Sequence, residues 1–199
     1  MSDAATVDWF RLDNAAKIYP SSHTETSPEI FRISMTLTRP IRVSALKTAL
    51  ARLIRRCPYY QVRLKRGLFW YFLQRHDEVP KIHPLEEWPI SSISIRGEHL
   101  LRIQARESTI AIDFSHILTD GYGAMRFLSS LVAEYLRQRG ETIPDTEFLL
   151  TPGEEADPDG HDQEGDDAVV AAALSTEKGH VLVEDERALE EGCDQDQLT

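Results

Sequence analysis

In FRISMTLT, residues 31 to 38, the apolar residues Phe31, Ile33, Met35 and Leu37 alternate strictly with Arg32, Ser34, Thr36 and Thr38. That is the period of a half-buried strand, and Arg39-Pro40 ends it. From Val43 to Cys57 the period changes. Val43, Leu46, Leu50, Leu53, Ile54 and Cys57 recur at three- and four-residue intervals, with Lys47, Arg52, Arg55 and Arg56 largely on the other faces. This predicts a helix starting near Ser44 and stopped by Pro58. YYQVRLKRGLFWYFLQR then reads as two short strands joined around Lys65-Arg66-Gly67. The proline-punctuated VPKIHPLEEWP is expected to be a loop covering a sheet edge. HLLRIQARE (99 to 107) and STIAIDFSH (108 to 116) are again strand-like, separated by a polar turn. Beyond Gly121, helical spacing returns in Met125, Leu128, Leu131, Val132, Tyr135 and Leu136, and RQRG supplies the cations and glycine suited to a helix C-terminus. Ahead of all this, WFRLDNAAKIYP is expected to be a packed N-terminal arm leading into a loop, SSHTETSPE. The fold class predicted is α/β, a mixed sheet flanked by helices.

Charge divides the chain. Of its 33 acids, 16 lie in residues 151 to 199, where the bases are Lys178 and Arg187 alone; the remaining 150 residues are mildly basic, although the whole carries −11. TPGEEADPDGHDQEGDD has the composition of a solvated linker or disordered tail. We therefore divide the 199 residues into a lobe over 1 to 145 and an acidic linker or tail over 146 to 199, in which AVVAAAL and HVLV look too short to build a second core. No apolar run approaches the ~20 residues of a membrane span, and the N-terminus lacks the pattern of a signal peptide, so a cytoplasmic location is expected. Cys57 and Cys193 lie in such different surroundings that a disulfide framework is not expected.

The chemistry concentrates in FSHILTDGYGAM, residues 114 to 125. A strand ends at Phe114, His116 begins a tight connection, Asp120 and Gly121 close it, and a helix departs. Strand ends feeding loops are where rigid scaffolds present reactive groups. A histidine titrates near neutral pH and can take a proton from a hydroxyl, amine or thiol. Asp120 has two roles open to it, folding back to orient the ring or pairing with an arginine to brace the loop. Gly121 allows a positive φ or a close backbone approach. The bland alternative, a structural histidine bonded to a backbone carbonyl, stays open on these residues alone.

FSHILTDGYGAMRFL resembles the His-x-x-x-Asp-Gly signature of acyltransferases related to chloramphenicol acetyltransferase, the plant acyltransferases of secondary metabolism and the condensation domains of peptide synthetases. The order strand, helix, hairpin, two strands, motif, helix is similar to the N-terminal lobe of that superfamily. WFRLDNAAKIYP resembles bacterial alcohol acetyltransferase-like proteins. The likeness covers roughly residues 8 to 145. It implies that His116 is a general base on an acceptor hydroxyl or amine, which attacks the thioester of an acyl-CoA or carrier-bound acyl group. Asp120 would be mainly structural, and Gly121 would give the substrate tunnel room. No bound cofactor is implied; acyl-CoA is a co-substrate. Ser115-His116, where condensation domains usually carry two adjacent histidines, leans toward the CoA-using branches. Family members close the tunnel with a second lobe carrying a motif like Asp-Phe-Gly-Trp-Gly, which residues 151 to 199 do not show. The resemblance therefore implies one of three things: a fragment, a half that assembles with a complementary lobe or another copy, or a shortened protein of little activity. A noncatalytic half-domain that binds a partner is the alternative reading.

The other histidines, His23, His76, His83, His99, His161 and His180, show no metal-site spacing, and His116 with Asp120 supplies only two ligands. Arg52, Arg55, Arg56 and Lys65-Arg66 beside Tyr59, Tyr60, Phe69, Trp70 and Tyr71 form the mixture a nucleic-acid binder would use. A solvated helix face and a hairpin core explain it more cheaply, so nucleic acid is not an expected partner. Contact with CoA phosphates or the acidic tail is another use for the same cations. Trp9, Lys17 and Tyr19 are read as packing residues.

Overall fold

Alternation along residues 31 to 37 does produce a strand, and that strand lies inside a sheet rather than at its margin. The computed structural model describes residues 9–11, 30–68, 71–87, 99–150 and 179–185. Lys17, Tyr19, SSHTETSPE, Phe69, Trp70, AVVAAAL and Cys193 lie outside the described residues. In chain order the elements are β1 (Trp9–Arg11), β2 (Ile30–Leu37), α1 (Val43–Arg56), a single 3-10 turn (Pro58–Tyr60), β3 (Val62–Arg66), β4 (Tyr71–Arg75), β5 (Ile82–Pro84), β6 (Leu101–Arg106), β7 (Thr109–Ser115), α2 (Gly121–Gln138) and β8 (Gly179–Asp185).

They form two sheets, a three-stranded one ordered β1-β4-β3 and a five-stranded one ordered β5-β6-β7-β2-β8. The larger is mixed: β5 runs parallel to β6 while the other neighbours are antiparallel. Its register aligns one apolar face, with Phe31 opposite Phe114, Ile33 opposite Ile112 and Met35 opposite Ile110. On that face sit α1, through Leu46, Leu50, Leu53 and Ile54, and α2, through Phe127, Leu128, Leu131 and Val132, in one buried cluster with the smaller sheet's Val62, Leu64 and Leu73. The α/β architecture, a mixed sheet flanked by helices, is as the periodicities predict.

One expectation changes. The stretch around Pro84 supplies the edge strand β5 itself, because a three-residue parallel edge needs few donors and tolerates a terminal proline. HVLV lies within β8, which pairs along β2 from Phe31 to Leu37, so part of the acidic segment joins the sheet. Packed chain also continues past α2: Leu150 is buried, and its N–H donates to Ser130 Oγ at 2.9 Å.

The opposite face of the sheet is polar yet not solvated. Arg32, directly across from Asp113, is 3% exposed and Asp113 is fully buried. Arg32 Nε donates to Asp113 Oδ1 at 2.6 Å, its second nitrogen to Oδ2 at 3.2 Å, and its third to the Glu86 carbonyl at 2.8 Å. Gln104 donates its amide N–H to Asp113 Oδ2 and accepts the Glu86 N–H. Burial pushes the Asp113 carboxyl's pKa up, while Arg32 and Gln104 pull against that. The cluster clamps residues 85 to 87 onto the sheet. Between the helices, the buried Glu134 of α2 meets Arg52 at 3.3 Å and Arg56 at 3.6 Å, which gives two members of the basic cluster a carboxylate partner at the edge of the helix pair.

A sharp β6–β7 turn completes this end of the sheet. Glu107 takes φ 53°, a left-handed conformation costly for a side chain with a Cβ. Its carbonyl accepts the Ile41 N–H at 2.7 Å, and that of Ser108 accepts the Leu37 N–H at 2.8 Å, so the turn anchors the β2–α1 connection.

Removing one partner of a buried ion pair strands the other charge, at a cost of about 3–5 kcal/mol. Asp113→Ala and Arg32→Ala are each expected to lose stability on that order in urea unfolding. The double variant should lose clearly less than the sum.

Candidate active site

β7 ends where its apolar alternation ends, and the next five residues are pinned at nearly every position. Ser115 N–H donates to the Leu100 carbonyl, its own carbonyl accepts the Leu118 N–H, both at 2.9 Å, and its Oγ accepts the Ile117 N–H at 3.3 Å. Ile117 and Leu118 are buried in the core, so the tight connection is a packed turn. Tyr59 donates its hydroxyl to the Leu118 carbonyl and Tyr60 donates to that of Gly123, each at 3.1 Å. Burial holds the Tyr60 hydroxyl protonated, well above the usual tyrosine range.

His116 emerges from this turn half-buried, with its Nε2 atom enclosed. Its ring lies on Phe31, centroids 4.4 Å apart. From there an aromatic chain runs Phe31 to Phe114 at 5.8 Å, Phe114 to Phe127 at 5.9 Å, Phe127 to Tyr60 at 4.5 Å and Tyr60 to Tyr59 at 5.7 Å. The chain closes on itself, because Tyr59 is the residue that holds Leu118 in the His116 turn. A histidine so held has its ring in a fixed orientation.

Asp120 takes neither of the two roles open to it from sequence. It is the N-cap of α2, exposed, with Oδ1 accepting the Gly123 N–H at 2.8 Å. A carboxylate there satisfies an orphan donor and meets the positive end of the helix dipole. Gly121 is the first residue of the helix; it has no positive φ, and a Cβ built on it meets nothing within 4 Å. The crowded glycine is Gly123, where a Cβ would overlap Thr119 Oγ1 and lie 3.4 Å from both Asp120 Oδ1 and Tyr60 Oη. Thr119 pulls the pKa of the Tyr60 hydroxyl down against the larger effect of burial. Gly123, Ser115, Phe31, Tyr59 and Tyr60 were not anticipated as site residues. The second glycine of Asp-Gly-Tyr-Gly was the one available signal.

Beyond the motif, α2 presents Tyr122 to solvent, packed edge-on against Phe148 at 5.8 Å with the Arg126 guanidinium over its ring. Next to Leu100, His99 packs edge-on against His76 at 4.7 Å. Burial first, and the neighbouring His76 second, lower its pKa to about 4. Among the described residues no group of three or more His, Cys, Asp or Glu side chains is gathered to hold a metal, and no helix is long and apolar enough to cross a membrane.

No family model matches the chain, and no curated protein matches it. Solved structures do. The starter condensation domain of the rhizomide synthetase RzmA superposes with a TM-score of 0.53 at 11% identity, covering 69% of this chain and 40% of that one. A variant of the same domain in complex with C8-CoA gives 0.57 at 10% identity, covering 69% and 38%. VibH, an NRPS condensation enzyme, gives 0.52 at 19% identity, covering 68% and 37%. The chain thus spans about two fifths of the length of these structures, and at such identities the likeness is one of fold: a condensation-domain-like lobe.

The two glycines should separate experimentally. Gly121→Ala is expected to be neutral or up to about 1 kcal/mol stabilising, since alanine favours the helix and meets open space. Gly123→Ala should cost about 1–2 kcal/mol through overpacking against Thr119. Asp120→Ala should cost about 1 kcal/mol and Asp120→Asn much less, all read from denaturant midpoints.

His99 carries a pH signature. Its folded pKa of about 4 lies below the unfolded value of 6.5, so the unfolded chain binds more protons between them. Its contribution to stability is complete above pH 6.5 and is lost as pH falls through about 4. Melting curves across that window should rise with pH, and His99→Phe should flatten the rise.

Proposed function

We propose that this lobe serves acyl transfer from a thioester donor, acyl-CoA or a carrier-bound acyl group, to a hydroxyl or amine acceptor, with His116 as the general base. The observation that carries the reading is the placement of His116: it sits on a packed strand-to-helix turn of a condensation-domain-like lobe, its ring fixed against Phe31. One structure of that fold carries C8-CoA, which supports an acyl-CoA donor here. In the proposed reaction the His116 imidazole takes the acceptor's proton, and the acceptor oxygen or nitrogen bonds to the thioester carbonyl carbon. Collapse of the tetrahedral adduct breaks the C–S bond and releases the thiol, with the proton returned from His116 to sulfur. Asp120 acts through the helix cap, keeping the turn in register, and the open space in front of Gly121 leaves room for substrate.

Because the chain spans about two fifths of the structures it matches, the remainder of the tunnel is assigned to a complementary lobe. Much of the rate of such a reaction comes from holding donor and acceptor together. The same partial span supports a second reading, a noncatalytic half-domain that binds a partner.

The test is release of free CoA from C8-CoA in the presence of a primary alcohol or amine, with this chain alone and with a complementary lobe supplied. His116→Ala is expected to lower turnover by about 10²–10⁴-fold while leaving the melting temperature essentially unchanged. Turnover unaffected by His116→Ala removes the general-base assignment. Tight binding of the complementary lobe without thiol release favours the noncatalytic reading.

A further inference from the structure

The five-stranded sheet ends differently at its two margins. β5 is three residues long and finishes on Pro84, a short edge of the kind that resists further pairing. β8 is seven residues long, GHVLVED, with no proline, lysine or arginine, and among the described residues no strand pairs on its outer side. An edge of that length and composition leaves a row of backbone donors and acceptors open to another strand.

Paired antiparallel with its own copy, GHVLVED is self-complementary about Leu182. In that register Gly179 falls opposite Asp185, His180 opposite Glu184 and Val181 opposite Val183, while Leu182 meets its counterpart on a two-fold axis. The histidine and carboxylate positions match twice by symmetry, and apolar positions meet apolar ones. Sliding the pair by two residues, to centre on Val183, sets Leu182 opposite Glu184 and Val181 opposite Asp185, which mismatches apolar with charged positions. A one-residue slip sends each strand's faces to the wrong side of the sheet. The symmetric register is therefore the favoured one, and cross-strand pairs of this sort are the unit from which sheets gain stability.

We propose that β8 is a homodimerisation edge, through which a second copy of this chain extends the sheet from five strands to ten by antiparallel β8–β8 pairing about Leu182. The interface is isologous, as a two-fold dimer requires, and its specificity lies in the His180–Glu184 positions. It depends on β8 and is independent of whether His116 catalyses anything.

The register makes a sharp test by cross-linking the full chain. In a Cys193→Ser background, Leu182→Cys places two thiols on the axis within disulfide reach, whereas Val181→Cys places each opposite Val183. Under mild oxidation Leu182→Cys is expected to form covalent dimer about tenfold faster than Val181→Cys. In sedimentation from micromolar to millimolar concentration, His180→Glu, which sets like charges opposite Glu184 twice, should weaken association about tenfold. Combining it with Glu184→His, which exchanges the two partners, should restore most of the loss. Equal cross-linking of the two cysteine variants, a wild type that stays monomeric throughout, or a double variant no better than His180→Glu would each overturn the proposal. Hydrogen exchange at the β2 amides confirms that β8 remains paired in every variant compared.

Discussion

The contact on which the candidate site depends is the seating of Phe127, from the second turn of α2, against Phe114 near the end of β7. Only five residues separate the strand from the helix, so once both are packed on the same side of the sheet the intervening backbone has little freedom. Ile117 and Leu118 fill the gap beneath it and Tyr59 and Tyr60 tie it down from a different part of the chain. His116 inherits its orientation from this arrangement. Phe31, itself stacked on Phe114, supplies the surface on which its ring rests.

The polar side of the sheet follows a related logic. Binary alternation in β2 distinguishes apolar from polar positions correctly, but polar does not there mean wet: Arg32 and Ser34 are as buried as the residues they alternate with. A buried arginine is tolerated because every direction of its guanidinium finds an oxygen, two on Asp113 and one on Glu86. Such a cluster contributes less net stability than an apolar patch of equal size, and more geometric definition, since its bonds accept one register only. It fixes β2 against β7, the pair of strands that carries Phe31 and leads into His116.

Elements whose periodicity reflects burial on one side were legible in the sequence: β2, α1, β6, β7 and α2 all lie within a few residues of where the pattern puts them. Those that failed to declare themselves depend on partners distant in the chain. β5 is hidden by its proline and owes its identity to β6, while β8 is embedded in acidic sequence and owes its to β2. In the site, His116 and Asp120 were visible as residue types at a spacing, and the likeness to a known acyltransferase signature sharpened that view. The cap role of Asp120 was not visible, because a carboxylate before a helix and a carboxylate beside a base look alike in one dimension. Nor could the sequence separate Gly121 from Gly123, since what makes Gly123 necessary is a threonine hydroxyl and a tyrosine from elsewhere.

The hydrogen bonds that shape the His116 turn also set an order of events during synthesis. Tyr59 to Leu118 and Tyr60 to Gly123 close loops of 59 and 63 residues, so the turn cannot acquire its native form from local sequence alone. Closing such loops costs entropy that is recovered only when the far contacts form, which places them late on the folding route. β8 lies further still from β2, and joins a sheet whose other four strands precede it in the chain. A nascent chain therefore holds β2 with one side unpaired for the time taken to make everything from α2 to Asp185. During that interval the edge that β8 later covers is open to pairing with the wrong strand.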